Sequence, residues 1–492
     1  MNSANHTATS VPTAAPDPAT YVLFGIPFSD VTFAEAVAWV RQRVAARRPA
    51  YIATANMDFV MQAWRDPEMQ RILLEADLCV ADGIPIVWMS RLFGPRLRQR
   101  VTGSDLVPML AEMARDCDYS LFHLGGAPGV AEKSAQALQQ RYPGLRVTGC
   151  YAPPMAELLH MNHAEILARL AAAEPDILYI AFGAPKQEKF AAMHVGQWRV
   201  PVAMGVGGSL DFLAGTQQRA PRLVQKLALE WLWRMLTNPR RLMKRYLGNL
   251  VFFFAACLRL LAIRAGRDRA AGGWPDGELA GRWPAQVARF QNLRTAAAAA
   301  EFLRALEPAA RRQCVVLDLR GVAQLSSLDL GALVRLAKTS RVACHRLFLA
   351  GAGSRVRQFV RASRLTEYLD LPATPAELET SLRALDAAAR DGEVRRAADG
   401  LVLIRTPADL TAANLGDFRW RVEQALEKSD GTRAWIVDAG ATRFMDSSAL
   451  SFLVGLKKRA AADRTKISFR NFQPAVRRTL CIARLDQVLD PA

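Results

Sequence analysis

YSLFHLGGAPGVAEKSAQALQQ, residues 119–140, carries the pattern that decides the fold of the first part of the chain. Its apolar start predicts a strand over residues 119–124, the glycines of GGAPG predict a tight turn, and residues 130–140 have helical periodicity. Strand, glycine turn and helix recur over residues 21–218, with further strands predicted at 51–55, 78–81, 176–182 and 202–205 and a helix at 59–75. The recurrence predicts an α/β domain with a mainly parallel sheet that binds ligands at the carboxyl ends of its strands.

Polar side chains and glycines follow these predicted strands. Asp82 stands directly after a strand and before Gly83, where a carboxylate can act as a general base, although an Asp-Gly pair is more often only a turn. Glycine turns that open helices can hold a diphosphate on backbone N–H groups. Together these residues support a nucleotide or sugar-nucleotide site. The candidate set is Thr54, Asn56, Asp82, Arg100, Gln187, Gly125, Gly126, Gly183, Gly207 and Gly208.

Length and cysteine usage narrow the class of protein. A chain of 492 residues suggests three domains. Its seven cysteines form no CxxC motif and no Cys/His cluster, so neither a disulfide framework nor a zinc site is indicated, which fits a reducing cytoplasm. Without a His cluster or a DxD pair in an obvious metal-binding turn, we expect no metal and no cofactor. Residues 1–20 lack the basic and apolar regions of a signal peptide and predict a disordered tail.

A basic and aromatic segment follows the first domain. Residues 219–269 contain twelve Lys or Arg and two acidic residues, which accounts for +10 of the formal net charge of +18. Such a segment favours an anionic lipid surface or nucleic acid. Nucleic acid is not expected, because no RNP, helix-turn-helix or zinc-finger pattern accompanies it. The alternative is a soluble helix with a solvated basic face. The residues expected to contact lipid are Arg234, Arg240, Arg241, Lys244 and Arg245.

An apolar stripe at helical spacing runs through this segment. Its most apolar part, residues 250–263, has fourteen residues and contains Arg259, whereas a membrane-spanning helix needs about 20 apolar residues. We therefore predict an amphipathic appendage over residues 219–264 that lies at the membrane interface. The stripe is Leu242, Tyr246, Leu250, Phe253, Cys257, Leu260 and Ile263.

The last part of the chain contains an internal repeat with an offset of 120 residues. VVLDLRGVAQLSSLDLGALVRL (315–336) aligns with WIVDAGATRFMDSSALSFLVGL (435–456). Two units of this length predict two copies of one small α/β domain. We place the copies at residues 281–386 and 400–492, after linkers at 265–280 and 387–399.

Seven motifs, in this order, resemble the WecG/TagA/CpsF glycosyltransferases, glycosyltransferase family 26. They are TANMDFV, ADLCVADGIPIVW, RVTGSDL, LGGAPG, FGAPKQEKF, GVGGSLDFLAGTQQRAP and LEWLWRMLTNPRRLMKRYL, within residues 25–262. The resemblance implies a Rossmann-like, inverting transferase. Its donor would be a UDP-sugar of the N-acetylmannosamine, uronic acid or glucose class, and its acceptor a polyprenyl-diphosphate-linked saccharide in surface or exopolysaccharide biosynthesis.

The resemblance also implies residue roles. Asp82 of the DG motif takes the role of proposed general base, and Thr54, Asn56, Arg100 and Gln187 match positions used around the acceptor and donor. The basic appendage is similar to the part that brings such enzymes to the membrane, which implies a peripheral place on the inner face of the cell membrane. One departure is Pro85, where family members often carry a second glycine.

FMDSSALSFLVGLKKRA in the second copy resembles STAS domains, the fold of the anti-sigma-factor antagonists. Asp446-Ser447-Ser448 matches a DSS turn at a helix start in which the second serine can be phosphorylated, so Ser448 is the candidate site. The open alternative is that the serines only cap the helix. The first copy is degenerate, because Ser326 replaces the aspartate and Leu328 the acceptor serine.

We expect an enzyme whose STAS domains regulate it or bind a protein partner, with homo-oligomerisation left open. The alternative is a regulatory binding protein that has a degenerate transferase domain and acts through its STAS pair. Both repeat units are expected to lie beyond a flexible linker from the catalytic domain. Truncation after about Arg269 is therefore expected to leave a working transferase with altered complex formation or localisation.

Overall fold

The computed structural model describes a large part of the chain. The described residues are 17–93, 96–218, 220–221, 224, 233, 239–265, 274, 279, 283, 285–343, 345–366, 368–388, 392–396, 401–427 and 434–489. Most of the predicted tail and of the linker at 265–280 lies outside them. Asp17 and Thr20 belong to the predicted tail but are described: Asp17 pairs with Arg43 and Arg335, and Thr20 begins the first strand.

The first domain alternates strands and helices after an antiparallel hairpin of β1 (Thr20–Leu23) and β2 (Ile26–Ser29). The elements that follow are α1 (Phe33–Ala45), β3 (Ala50–Ala55), α2 (Met57–Arg65), α3 (Pro67–Glu75), β4 (Leu78–Ala81), α4 (Ile84–Phe93), α5 (Gly103–Asp116), β5 (Ser120–Gly125), α6 (Val130–Arg141), β6 (Arg146–Tyr151), α7 (His163–Ala173), β7 (Ile177–Ala181), α8 (Lys186–His194), β8 (Val202–Gly205) and α9 (Ser209–Leu213).

A six-stranded parallel sheet in the order β4-β3-β8-β7-β5-β6 forms the centre of this domain. Neighbouring residues along a strand point to opposite faces. Ile52 and Tyr179 accordingly belong to one apolar cluster, and their neighbours Ala53 and Ile180 to the other. The predicted fold class is confirmed. All six strands end at one edge, which brings the glycine turns and polar residues of the candidate set together.

The single helix predicted over residues 59–75 is wrong, because two helices occupy this stretch. Pro67 begins α3, and the residue before a proline is driven out of the helical region. Asp66 accordingly has φ −115° and ψ 107°, and its side chain accepts the N–H groups of Glu68 and Met69. The break turns α3 away from α2 and directs it towards the C-terminal repeats.

The C-terminal part of the appendage forms one long helix, α10 (Pro239–Ala265). Its inner face packs on the first domain through Phe252, whose ring centroid lies 5.0 Å from that of Trp64, and Phe253, which lies 6.1 Å from Phe24. Within the described residues, no helix has both the length and the hydropathy needed to cross a bilayer.

The first repeat unit has a three-stranded parallel sheet in the order β11-β10-β9. Leu279, from the predicted linker at 265–280, is buried against it beside Phe348 and Leu378. The elements are β9 (Gln286–Arg289), α11 (Ala296–Ala310), β10 (Val315–Asp318), α12 (Ser327–Val342), β11 (Leu347–Ala350), α13 (Ser354–Ala362) and α14 (Pro375–Ala388).

The second repeat unit has a four-stranded sheet in the order β12-β13-β15-β17, in which only β12 is antiparallel to its neighbour. Strand β12 lies inside the predicted linker at 387–399. Its charged sequence, EVRR, is typical of an edge strand that is protected from pairing with other chains. The elements are β12 (Glu393–Arg396), β13 (Leu401–Arg405), β14 (Asp409–Leu410), α15 (Ala412–Glu427), β15 (Ala434–Asp438), β16 (Phe444–Met445), α16 (Ser447–Ala462), β17 (Lys466–Arg470), α17 (Pro474–Ile482) and α18 (Asp486–Leu489).

Both repeat units pack against the first domain. Leu328 and Ala332 of α12 belong to the same apolar cluster as Phe24 and Met69 of the first domain. From the second unit, the Ser447 hydroxyl donates to Glu68 of α3 at 2.8 Å. The first repeat unit therefore shares an apolar cluster with the first domain, while the second keeps its own cluster and meets the first domain through polar contacts.

Candidate active site

Thr54, opposite Val80 near the end of β3, and Asp82, directly after β4, lie at the carboxyl ends of two paired strands. The Thr54 hydroxyl donates to the carbonyl of Gly205, at the end of β8, over 3.3 Å. The Asp82 carboxylate accepts the backbone N–H of Gly103 at 3.3 Å. Gly103 also touches Thr54, since a Cβ on it would lie 3.3 Å from the Thr54 hydroxyl oxygen. These contacts hold a carboxylate and a hydroxyl in one small region.

Arg100 and Asn56 border the same region. The backbone N–H of Val101 donates to the carbonyl of Ala81 at 3.0 Å, which keeps the segment that carries Arg100 beside the end of β4. The Asn56 side-chain oxygen accepts the N–H groups at the start of α2 and so caps that helix. Asn56 is thereby fixed near Gly83, and its role in substrate binding stays a prediction.

Gln187, in the first turn of α8, joins two glycine turns. Its side-chain oxygen accepts the N–H of Gly183, after β7, at 3.1 Å and the N–H of Gly207, after β8, at 3.2 Å. The side chain is 3% exposed. Gln187 thus sets the relative position of the two turns at the strand ends, and a direct contact with substrate stays a prediction.

Glu188 is a buried carboxyl group directly behind Gln187, and the sequence reasoning assigned it no role. It accepts the side-chain N–H of Gln187 at 2.7 Å and the hydroxyl of Tyr51 at 3.4 Å. Gly205 makes room for this group, because a Cβ there would lie 2.7 Å from the Gln187 nitrogen. Burial raises the pKa of Glu188 to about 7, against which its hydrogen bonds act. The signal in the sequence was the Gln-Glu pair of FGAPKQEKF.

The candidate glycines shape the turns of this edge. Gly125, Gly126, Gly183 and Gly207 have φ of 100°, 84°, 76° and 48°, a region that favours glycine. The N–H of Gly126 donates to Ala181, and those of Gly183 and Gly207 donate to Gln187. Gly208 precedes α9. Because three of these N–H groups bind acceptors of the protein itself, the diphosphate contact expected of them stays a prediction.

The structure describes no group of three or more His, Cys, Asp or Glu side chains arranged to hold a metal ion. The expectation of a reaction without metal or cofactor stays a prediction.

The expected lipid-binding residues lie away from this edge, in the appendage. Arg234 lies outside the described residues, and Arg240, Arg241, Lys244 and Arg245 lie in the N-terminal half of α10, where the backbone but not the side chains is described. Their contact with lipid stays a prediction.

The described part of the predicted apolar stripe faces the first domain, whereas the side chains of Leu242, Tyr246 and Leu250 lie outside the described residues. Phe253, Cys257 and Leu260 pack against the first domain, and the Cys257 sulfur lies 3.5 Å from that of Met89. The outer face instead carries Val251, Phe254, Leu258 and Leu261, which are 64, 57, 68 and 39% exposed. These residues recur every three or four positions, so they line one side of the helix. Trp88 of α4 is also 59% exposed.

Ser448 lies at the start of α16 and is 6% exposed. Among the described residues, its hydroxyl has no hydrogen-bond partner. The residue before it, Ser447, is bonded to Glu68 of the first domain. Phosphorylation of Ser448 stays a prediction, and in this arrangement it would require the second repeat unit to separate from the first domain.

Comparison with known proteins identifies all three parts of the chain. Residues 21–266 match the family model "Glycosyl transferase WecG/TagA/CpsF family". Residues 287–378 match "STAS domain", and residues 395–490 match "Mlab, STAS domain". The first and second repeat units are therefore STAS domains, called STAS1 and STAS2 below.

Curated relatives match the first part. A protein of Bacillus spizizenii (strain ATCC 23059 / NRRL B-14472 / W23) is 33% identical over 192 residues, which cover 39% of this chain and 73% of the relative. A protein of Staphylococcus aureus (strain NCTC 8325 / PS 47) is 29% identical over 222 residues, which cover 45% of this chain and 85% of the relative. Both are named N-acetylglucosaminyldiphosphoundecaprenol N-acetyl-beta-D-mannosaminyltransferase.

Proposed function

Because the chain belongs to the WecG/TagA/CpsF family of glycosyltransferases, we propose that it transfers a sugar from a UDP-sugar to a polyprenyl-diphosphate-linked saccharide. The donor sugar would be of the N-acetylmannosamine, uronic acid or glucose class, and the product would serve surface or exopolysaccharide biosynthesis. The names of the relatives support an undecaprenyl-diphosphate-linked acceptor and transfer of an N-acetylmannosaminyl group. The observation that carries the proposal is the meeting of Thr54, Asp82 and the Gln187 turns at one sheet edge.

Asp82 is the proposed general base. Inverting transfer needs a group that takes the proton of the acceptor hydroxyl while that oxygen attacks the anomeric carbon, and a carboxylate at a strand end suits this role. The Gly103 N–H holds one Asp82 oxygen in place. The neighbouring Thr54 and Arg100 are proposed to position the acceptor and to balance the charge of the departing UDP.

The donor half of the site is proposed to lie over the turns after β7 and β8. Gln187 fixes these turns relative to each other through Gly183 and Gly207. A turn whose N–H is bonded to a buried amide presents a rigid surface to a diphosphate. Such a turn loses little conformational entropy when the ligand binds, which strengthens binding. Gln187 would then act on the donor mainly through the shape of its site.

The outer face of α10 supports a place at the inner membrane surface. Val251, Phe254 and Leu258 form an exposed apolar strip, which Arg240, Arg241, Lys244 and Arg245 precede in the same helix. An apolar face next to basic residues is the composition of interfacial helices. A polyprenyl acceptor stays in the bilayer, so an enzyme held at the surface can reach it.

The alternative function is a regulatory binding protein with an inactive transferase domain. The buried contact between Glu68 and Ser447 favours regulation of the transferase domain by STAS2. Such regulation does not require that the domain has lost catalysis. The two functions differ in turnover, and only the enzyme releases UDP.

The test is UDP release from a panel of UDP-sugars with a polyprenyl-diphosphate-linked N-acetylglucosamine acceptor in detergent or vesicles. We expect turnover with one donor class and none with Asp82→Asn. Binding of UDP without turnover for any donor would favour the regulatory binding protein, and acceptor-independent hydrolysis would contradict the transfer reaction.

A further inference from the structure

STAS1 and STAS2 use the same surface to contact the transferase domain. Helices α12 and α16 are equivalent under the 120-residue offset, and the N-terminal half of each packs on the first domain. In STAS1 the contact is apolar, through Leu328 and Ala332. Gly331 on the same face lies so close to β1 that a Cβ on it would be 1.9 Å from the carbonyl oxygen of Thr20. STAS1 is therefore packed as part of the interior.

STAS2 makes this contact with polar groups. The Glu68 carboxylate of α3 accepts both the backbone N–H and the hydroxyl of Ser447, the latter at 2.8 Å. Glu68 thus occupies the N-terminus of α16, where unpaired N–H groups and the helix dipole favour an anion. The Ser448 hydroxyl beside it is buried and has no partner within the described part of the chain. A carboxylate of the transferase domain is therefore the ligand of this helix end.

Lys189 connects this contact to the candidate site. Its ammonium lies 2.7 Å from Glu68 and 2.7 Å from Asp66. Burial lowers the pKa of Lys189, but the two carboxylates outweigh burial and the net pKa is raised. Lys189 stands two residues after Gln187 in the first turn of α8, so one turn of helix carries both the STAS2 contact and the group that sets the glycine turns.

Glu68 lies in a buried cluster of charged side chains. Lys189 is its cationic partner, while Asp446, which caps α16 by accepting the N–H of Ala449, is a second carboxyl group nearby. Burial, and then the charge of Glu68, raise the pKa of Asp446 to about 7. The cluster joins the carboxyl groups of Asp66, Glu68 and Asp446 to the ammonium of Lys189, and removing one partner of such a buried contact leaves an uncompensated charge.

We propose that Glu68 is the docking ligand of STAS2 and that docked STAS2 positions Gln187 through Lys189 and α8. STAS1 is attached mainly by its apolar contact, whereas STAS2 is held by polar contacts, to which the pair of Arg71 with Asp409 also contributes. The positioning half of the proposal rests on the proposed function, because it places the donor over the turns that Gln187 holds. The docking half rests only on the contacts of Glu68.

The experiment compares the full-length chain with Glu68→Ala and Ser447→Ala, which remove the contact from opposite sides. Hydrogen exchange of the amides of residues 447–450 reports docking, and the Kd for UDP together with KM for the donor and kcat reports the site. We expect exchange at these amides to rise at least tenfold and the UDP Kd to rise about tenfold, with kcat within threefold of wild type. Turns that are no longer held in place must be ordered when the diphosphate binds, and this cost weakens binding more than turnover of the bound donor.

The control is Lys338→Met. Lys338 joins STAS1 to the transferase domain by donating to Asp77 and to the Glu75 carbonyl, and it does not touch Glu68, Ser447 or Lys189, although Arg341 of the same helix pairs with Asp409 of STAS2. We expect local loosening around α12 and an unchanged Kd for UDP. A rise as large as that of Glu68→Ala would show that any loosening of the STAS pair disturbs the site, which overturns the specific path through Lys189.

Two further outcomes separate the halves of the proposal. Unchanged exchange at residues 447–450 in both Glu68→Ala and Ser447→Ala overturns docking through Glu68. Faster exchange with an unchanged Kd for UDP overturns positioning and leaves docking standing. If wild type fails to bind UDP, the proposed function and the positioning claim fail together, while the exchange data still decide the docking claim.

Discussion

The side-chain amide of Gln187 donates to the carboxyl group of the adjacent Glu188 at 2.7 Å, and this bond fixes which way the amide faces. With its nitrogen held by Glu188, the amide turns its oxygen towards the N–H groups of Gly183 and Gly207. The orientation of one buried amide therefore determines the position of two turns at the candidate site.

Replacement of Glu188 by Gln should change how stability depends on pH. Since burial raises the pKa of Glu188 from 4.5 to about 7, the folded protein binds more protons than the unfolded chain between these values. The free energy of unfolding then falls as the pH rises through this window, by up to roughly 3 kcal/mol from this group. Urea unfolding of both proteins from pH 4.5 to 8 measures the difference.

The comparison between the two proteins isolates Glu188. Burial lowers the pKa of both His123 and His194 to about 4, and these groups make stability rise with pH in wild type and variant alike. Parallel pH profiles of wild type and Glu188→Gln would contradict the assignment of a proton to Glu188.

Asp82→Asn should fold normally and lose turnover. The amide keeps the shape of the side chain and can still accept the Gly103 N–H, but it cannot take a proton from the acceptor. Loss of a general base reduces turnover about 10²–10⁴-fold. Initial rates of UDP release at saturating substrates measure the effect, and a rate within tenfold of wild type would remove Asp82 from the catalytic role.

Membrane binding should depend on both the basic residues and the exposed apolar residues of α10. Replacing Arg240, Arg241, Lys244 and Arg245 by Gln should weaken binding to anionic vesicles by about 1 kcal/mol per residue near the surface and reduce its salt dependence. Leu258→Glu, on the exposed face, should weaken binding in neutral and anionic vesicles alike. Vesicle sedimentation at several salt concentrations measures both effects.

A matched control for the membrane variants neutralises four exposed basic residues of STAS2, Arg464, Lys466, Arg470 and Arg478. The net charge changes equally, so only the location differs. If the STAS2 control variant weakens vesicle binding as much as the α10 variant does, binding depends on overall charge. Equal sedimentation of the α10 variants and wild type would count against a membrane role.

Gly331→Ala should destabilise the whole chain. The added methyl group would meet the Thr20 carbonyl at 1.9 Å, and relief of such overpacking costs about 1–3 kcal/mol. Gly455→Ala is the control, because Gly455 lies in α16 with nothing within 4 Å of its added Cβ. That substitution should stabilise by up to about 1 kcal/mol. Thermal unfolding of both variants tests the packing of STAS1, and equal melting temperatures would contradict it.

Ser448→Asp should weaken the attachment of STAS2. The new carboxylate would be placed in a buried site beside Glu68 and Asp446, and like charges there disfavour docking. Limited proteolysis and hydrogen exchange of α16 should show opening, whereas Ser448→Ala should behave as wild type. If Ser448→Asp stays closed, a phosphate on Ser448 would not be expected to control docking either.

The sheet and its glycine turns could be predicted because their signals are local. Apolar runs that end at Thr54 and Asp82 define the strands, and parallel strands end at one edge, so these residues had to meet. The break between α2 and α3 was also encoded locally, by Asp66-Pro67, but the helical pattern on both sides concealed it. Strand β12 was missed because EVRR has no apolar alternation.

The contacts between domains could not be predicted from one sequence. Glu68 and Ser447 are 379 residues apart, and neither residue type signals such a pairing. The appendage stripe was misassigned because two apolar faces run along α10, and periodicity alone does not tell which one meets Trp64 and Phe24. The role of Glu188 depends on its burial beneath Gly205, which is a property of the packed sheet.

STAS2 and its docking carboxylate, Glu68, belong to the same polypeptide chain, which affects how an outside protein can compete for STAS2. A tethered domain meets its partner at an effective concentration on the order of millimolar, whatever the amount of protein in the cell. An outside protein that binds the α16 surface with micromolar affinity must therefore displace a ligand that is always present. Only an abundant competitor, or one that binds far more tightly than Glu68, could hold STAS2 open.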